Sequence, residues 1–265
     1  MAEPKPQPVT WKRALVTGAS SGIGDAFARQ LAAAGTDLVV VARDEQRLRA
    51  LADDVDAHCE VLPADLGDTQ QLARVADRIS ADDDPIDLVI NNAGFGNVGP
   101  LAELDADDEA AVVAVNVTAV LRLSQTAAAV FANRATADAP GGILNVSSMA
   151  AFMATPQTAT YNATKAFVNS LTEALHLEMR DEHVHVTVLC PGFTRTEFQD
   201  RAEYNASSIP DWLWQTADEV AAAGLAGVAT NKAVVVSGAK NRVGSSVVNA
   251  MPGSLRRFVA ARMPG

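Results

Sequence analysis

Arg13-Ala14-Leu15-Val16-Thr17-Gly18-Ala19-Ser20-Ser21-Gly22-Ile23-Gly24 reads as a buried strand, a glycine turn and the start of a helix. The apolar run Ala14–Val16 suits a short interior strand. The helical pattern continues from Ala26 to Ala34 and stops at Gly35. Glycines in such a turn let backbone N–H groups come close to a pyrophosphate, and the helix that follows adds the positive end of its dipole. The glycines stand at 18, 22 and 24. That spacing departs from the G-x-G-x-x-G fingerprint of the commoner dinucleotide folds and points to a subgroup.

Outward from this stretch, apolar runs predict further strands near residues 38–42, 60–63, 87–91, 143–147, 184–190 and 233–237, with helical stretches between them. This alternation implies an α/β protein with a Rossmann-type, doubly wound parallel sheet of about seven strands and helices on both faces. Leu38-Val39-Val40-Val41-Ala42 is continuously apolar, as a strand covered on both sides must be. Ala135 to Gly142, rich in Ala, Asp, Pro and Gly, reads as a surface loop. With 265 residues and 48% apolar content, one domain spanning 10–265 accounts for the chain, after a flexible Pro-rich tail at 1–9.

A net charge of −11 argues against nucleic acid or a generally anionic membrane surface as a partner. No uninterrupted apolar run approaches the roughly 20 residues that span a bilayer, and the N-terminus is polar where a signal peptide is apolar. A cytoplasmic protein without an integral membrane segment is expected. Cys59 and Cys190 imply neither a disulfide framework nor a metal cluster, and Cys190 reads as core. The acidic run Asp82-Asp83-Asp84 reads as a solvated loop. The amphipathic segment 244–263 can pack on the domain, make a dimer contact or touch a membrane. Its three arginines are too few to anchor so acidic a chain, which favours the first two.

The chemistry is carried by Tyr161-Asn162-Ala163-Thr164-Lys165, preceded by Asn116 and Ser148. A residue and its fourth neighbour share a helix face, so a helix starting near Pro156 presents Tyr161 and Lys165 to one cavity. A tyrosine titrates near ~10. A neighbouring ammonium is expected to lower that value and suit the phenol to proton exchange. Ser148 falls where a strand gives way to a loop and can hydrogen-bond a substrate oxygen. Asn116, inside an apolar helix, needs a bonded amide to be tolerated.

Together these motifs resemble the short-chain dehydrogenase/reductase family in its single-domain form. The resemblance runs from about Lys12 to Phe198. It rests on the TGASSGIG turn, Asp65, Asn91-Asn92-Ala93-Gly94, Asn116, Ser148, the YNATK motif and Pro191-Gly192-Phe193-Thr194-Arg195-Thr196. It implies catalysis by Asn116, Ser148, Tyr161 and Lys165, with Tyr161 as acid/base and Asn116 holding a proton-relay water. It also implies cofactor contacts from Gly18, Ser20, Ser21, Gly22, Ile23 and Gly24 in the turn, and from Asp65 and Leu66 at the adenine. Asn92, Ala93 and Gly94 would follow at the adenosine pocket, with Tyr161, Lys165, Pro191, Gly192, Thr194 and Thr196 at the nicotinamide end. A homodimer or homotetramer is the family's usual assembly.

In this fold the residue ending the second strand meets the adenosine ribose, where an acidic side chain selects NAD(H). Here Ala42 and Arg43 stand there, and a guanidinium binds phosphate, so NADP(H) is expected in preference to NAD(H). The competing reading pairs Arg43 with Asp44 or Glu45 at the surface. Phe95, Met149, Phe152, Met153 and Phe193 surround the motifs. The stretch 194–216 adds Phe198, Tyr204, Trp212 and Trp214 and reads as a lid over a hydrophobic carbonyl compound or alcohol, the competing reading being that Trp212 and Trp214 pack a helix onto the domain or onto a second subunit. A catalytically silent NADP(H)-binding sensor or scaffold is the alternative, and the complete set of four catalytic residues argues against it.

Overall fold

The computed structural model of the protein describes residues 9–197 and 210–262. Seven strands form one sheet: β1 (Arg13–Thr17), β2 (Asp37–Ala42), β3 (Cys59–Pro63), β4 (Leu88–Asn91), β5 (Gly141–Val146), β6 (Val184–Cys190) and β7 (Val234–Val236). Their order is β3-β2-β1-β4-β5-β6-β7, with every neighbouring pair parallel.

Side chains alternate across β1 and so build two cores. Ala14 and Val16 join α1 (Gly22–Ala33), α2 (Glu45–Asp54) and α7 (Ala217–Ala229) on one face. Leu15 joins α3 (Thr69–Ser80) and α5 (Val120–Arg134) on the other. The α3 pattern is legible in its own residues: Leu72, Val75, Ala76 and Ile79 are buried at helical spacing, and Asp68 caps the helix by accepting from the Gln70 and Gln71 N–H groups. Val9, assigned to the tail by composition, packs against the first core.

Two readings change. The expected loop 135–142 ends earlier, because Gly141 and Gly142 are buried members of β5. Glycine is needed there by close approach. A Cβ on Gly141 would sit 2.7 Å from the Phe131 Cβ, and one on Gly142 2.6 Å from the Trp11 ring. The second change concerns α4 (Ala106–Val113), which runs through a π-helical turn at Ala114–Ala119 into α5. This combined helix is long and apolar enough, by length and composition alone, to cross a membrane. Polar residues such as Asn116 and Ser124 hide that from a search for uninterrupted apolar runs. One face of this helix, through Leu123, Ala127 and Phe131, packs in the second core.

Gly142→Val is expected to destabilise the protein by about 1–3 kcal/mol through overpacking. Urea unfolding measures this, and an unchanged midpoint would contradict the placement of Gly142 under Trp11.

Candidate active site

β1 and β4 are neighbours, yet the chain leaves them toward opposite edges of the sheet. A crevice therefore opens at their carboxyl ends. It forms a cavity of about 1060 Å³ that extends from Arg43 and Asp65 to Ser148, Tyr161 and Lys165, and on to Phe152 and Val248.

Its floor is the glycine turn. Gly18 has φ +67°, and a Cβ there would lie 2.9 Å from the Ala93 Cα. Only glycine meets both demands without strain. Thr17 stitches the two strand ends together: its Oγ1 accepts from the N–H groups of Asn92 (2.9 Å) and Ala93 (3.0 Å). The Asn92 side chain donates to the Thr17 carbonyl at 3.0 Å, so it shapes the pocket by holding the turn. Asp44, Asp68 and Asp105 cap α2, α3 and α4, whereas Ser21 makes no side-chain cap bond to α1. The first N–H groups of α1 thus remain for an anion, at the positive end of the helix and on the cavity wall.

At the end of β2, Arg43 is exposed, lines the cavity and makes no ion pair among the described residues. Its sequence neighbours are engaged elsewhere. Asp44 accepts from the Arg47 N–H at 3.0 Å, and Glu45 pairs with Arg49. The surface-pairing alternative for Arg43 therefore fails. Asp65 accepts from the Gly67 N–H at 2.8 Å, Leu66 is buried, and both line the cavity.

The far end is built on α6 (Ala159–Glu178). Lys165 is buried, and its Nζ donates to the Val146 carbonyl at the end of β5 (3.0 Å) while lying 5.7 Å from the Tyr161 ring centre. Burial holds the ammonium down, to about 8. Burial also pushes the Tyr161 phenol above its ordinary value, and a hydrogen bond with Ser148 opposes that rise. The expected lowering of Tyr161 by Lys165 is therefore not found. Desolvation outweighs it and favours a protonated phenol. Ser148 Oγ also accepts from the Ala150 N–H at 3.1 Å.

Asn116 sits in the π-helical turn, fully buried, and grips one backbone unit. Its Oδ1 accepts from the Phe95 N–H (3.1 Å), and its Nδ2 donates to the Phe95 carbonyl (2.8 Å) and to Thr164 Oγ1 (3.1 Å). This sets the strip Gly94-Phe95-Gly96 against the site. A Cβ on Gly94 would lie 3.0 Å from Asn116 Oδ1 and 3.1 Å from Lys165 Nζ, and one on Gly96 2.7 Å from the Tyr161 ring. Extra residues in π turns frequently mark functional positions.

The family described as short chain dehydrogenase matches residues 12–206. The chain belongs to the short-chain dehydrogenase family. It is an oxidoreductase of that family with a nucleotide-binding Rossmann sheet. A short-chain dehydrogenase from Sphingobium yanoikuyae, solved in complex with NADPH, matches at TM-score 0.81 and 32% identity over 96% of each chain. One from Burkholderia phymatum, solved in complex with NAD, matches at TM-score 0.77 and 26% identity over 91% of this chain and 94% of that one. The rhamnolipids biosynthesis 3-oxoacyl-[acyl-carrier-protein] reductase of Pseudomonas aeruginosa is 31% identical over 219 residues, 79% of this chain and 86% of that one.

Within this short-chain dehydrogenase, Phe95, Met149, Phe152, Met153 and Phe193 line the cavity as expected. Leu213, Asn241 and Val248 line it too, and sequence reading missed them because they come from a 3₁₀ turn (Asp211–Leu213) and from α8 (Ala239–Ala250). Trp212 points outward under Lys240, whose Nζ lies 4.6 Å from the ring centre, and Trp214 packs on Phe193. Phe198 and Tyr204 lie outside the described residues. The Arg195 N–H donates to the Gln215 carbonyl and the Gln215 N–H to the Phe193 carbonyl, so the two ends of this stretch are joined. Pro191, Gly192, Thr194 and Thr196 line the cavity, and Thr196 packs on Gly22.

The depressed Lys165 value has a stability signature. The unfolded chain binds this proton up to about 10.4 and the folded chain only up to about 8. Between those values the unfolded state holds more protons, so this group makes stability rise with pH. Urea unfolding at several pH values should show that rise in the wild type and its loss in Lys165→Met. Parallel profiles would contradict burial of the ammonium.

Proposed function

We propose that the protein is an NADP(H)-dependent oxidoreductase that interconverts a carbonyl and a primary or secondary alcohol on a hydrophobic small molecule. One observation carries the proposal: a single cavity joins the Arg43 guanidinium, which makes no ion pair among the described residues, to Tyr161, Ser148 and the buried Lys165.

The residues fit the cofactor. The uncapped N-terminus of α1 suits the pyrophosphate, and Gly18 and Gly24 bring the backbone close, since a Cβ on Gly24 would overlap the Gly18 carbonyl. Arg43 suits the 2′-phosphate, and Asp65 and Leu66 suit the adenine. When bound, the nicotinamide supplies or accepts the hydride. Tyr161 holds a proton at Oη that burial keeps in place, ready for the oxygen on which negative charge grows. Ser148 orients the same oxygen from the other side. Lys165 places a positive charge beside the phenol, which favours the phenolate left after the proton has gone. Asn116 acts through the Phe95 backbone that it grips, and Thr164 ties it to the Tyr161 turn.

Phe95, Met149, Phe152, Phe193, Leu213 and Val248 favour an apolar substrate, and Thr194, Thr196 and Leu213 border the cavity from the described parts of 194–216. We assign the reducing direction in the cytoplasm, where NADPH supplies reducing power. The exposed apolar residues Val113, Leu121 and Leu177, on and beside the Asn116 and Tyr161 helices, support a homodimer or homotetramer.

Tyr161→Phe should lower turnover of an apolar ketone by on the order of a hundredfold or more, while calorimetry still detects NADPH binding. Retained turnover would contradict the assignment, and lost turnover together with lost binding would point to a collapsed site instead. In the wild type, reductive kcat/KM should fall as pH rises through about 8, where Lys165 loses its proton. A rate that stays level to pH 10 would remove Lys165 from the proton chemistry.

A further inference from the structure

The charge of this chain is segregated. Lys232, Lys240, Arg242, Arg256, Arg257 and Arg262 lie beyond residue 219, and no Asp or Glu does. The −11 of the whole chain therefore divides into −17 up to residue 219 and +6 after it. Most of these cations fall on or beside two amphipathic helices, α8 and α9 (Gly253–Ala260).

The inner side of α8, through Asn241, Gly244 and Val248, forms part of the cavity wall. Its outer side exposes Val243 and Val247, one turn apart, while α9 exposes Leu255 and Phe258. Trp212, also exposed, lies under the Lys240 ammonium, and Arg262 stacks on Phe258 at 3.6 Å. Asp211, the acid beside Trp212, pairs with Arg195.

We propose that α8 and α9 dock on an anionic lipid bilayer. Aliphatic and aromatic side chains interleaved with Lys and Arg suit the boundary between headgroups and acyl chains. Screening confines the chain's remaining negative charge to within about 8 Å of where it lies. A net acidic total therefore does not forbid a local basic contact. A symmetric pairing of two copies through this surface would set its cations against one another, which disfavours a second copy as the occupant. Because the inner side of α8 is cavity wall, docking places the candidate active site next to a source of lipophilic substrate. That last consequence rests on the proposed function, whereas the docking itself does not.

Co-sedimentation of the full chain with vesicles of phosphatidylcholine containing phosphatidylglycerol, and with pure phosphatidylcholine vesicles, tests the surface without any activity readout. Binding is expected to the anionic vesicles alone and to weaken with added salt. Arg242→Glu/Arg257→Glu should reduce it by at least about tenfold, as should Val247→Asp/Phe258→Asp, with melting temperatures unchanged at these exposed positions. Three results would overturn the proposal: no binding at low salt, equal binding of wild type and variants, or a wild-type oligomer in sedimentation velocity that Val247→Asp/Phe258→Asp splits while no protein follows the vesicles.

Discussion

The bond from Lys165 Nζ to the Val146 carbonyl is the constraint on which the site depends. A buried ammonium is tolerated only where its donors find acceptors, and β5 ends where one of its carbonyls can serve α6. Desolvation still leaves its mark in the lowered lysine value. The close packing of Gly94 against Lys165 and of Gly96 against Tyr161 follows from this placement, because a side chain at either glycine would press on one or the other. Asn116 holds the strip in place through both polar groups of the Phe95 backbone. The cluster is thus one packed unit supported by β5, α6, the π-helical turn and the loop after β4.

Much of this was legible in the sequence, for physical reasons. Strands covered on both faces carry apolar runs, unbroken over residues 38–42 and interrupted by His185 and Thr187 in β6, and β1, β2 and β6 lie within a residue or so of where the sequence puts them. The glycine turn and the Tyr161–Lys165 spacing are local patterns whose geometry follows from strand and helix periodicity. What was not legible depended on contacts between distant parts of the chain. Gly141 and Gly142 look like loop until Phe131 and Trp11 are seen above them. The effect of Lys165 on Tyr161 was overrated because burial depth is not written in the spacing of the two residues. Trp212 and Trp214 were grouped as lid aromatics, yet the 3₁₀ turn aims Leu213 at the cavity and leaves Trp212 outside. That Arg43 pairs with neither Asp44 nor Glu45 follows only from the capping and pairing that occupy those two acids.

Composition also concealed the C-terminal surface. A net charge averages over the chain, whereas screened electrostatics acts over about 8 Å, so a basic end on an acidic protein is invisible to the total. The same helix α8 serves the cavity with one side and presents Val243 and Val247 with the other. A single element of the fold therefore borders both the cavity and the exposed basic surface.

In the function proposed above, one cleft reads the adenosine phosphate with Arg43 and performs carbonyl chemistry at Tyr161. Isothermal titration of the wild type and Arg43→Ala with NADPH and with NADH tests it most directly. The wild type should bind NADPH more tightly than NADH, and the variant should lose about tenfold or more of that preference, the worth of a hydrogen bond to a charged group. Equal affinity for the two cofactors, unchanged in the variant, would contradict it.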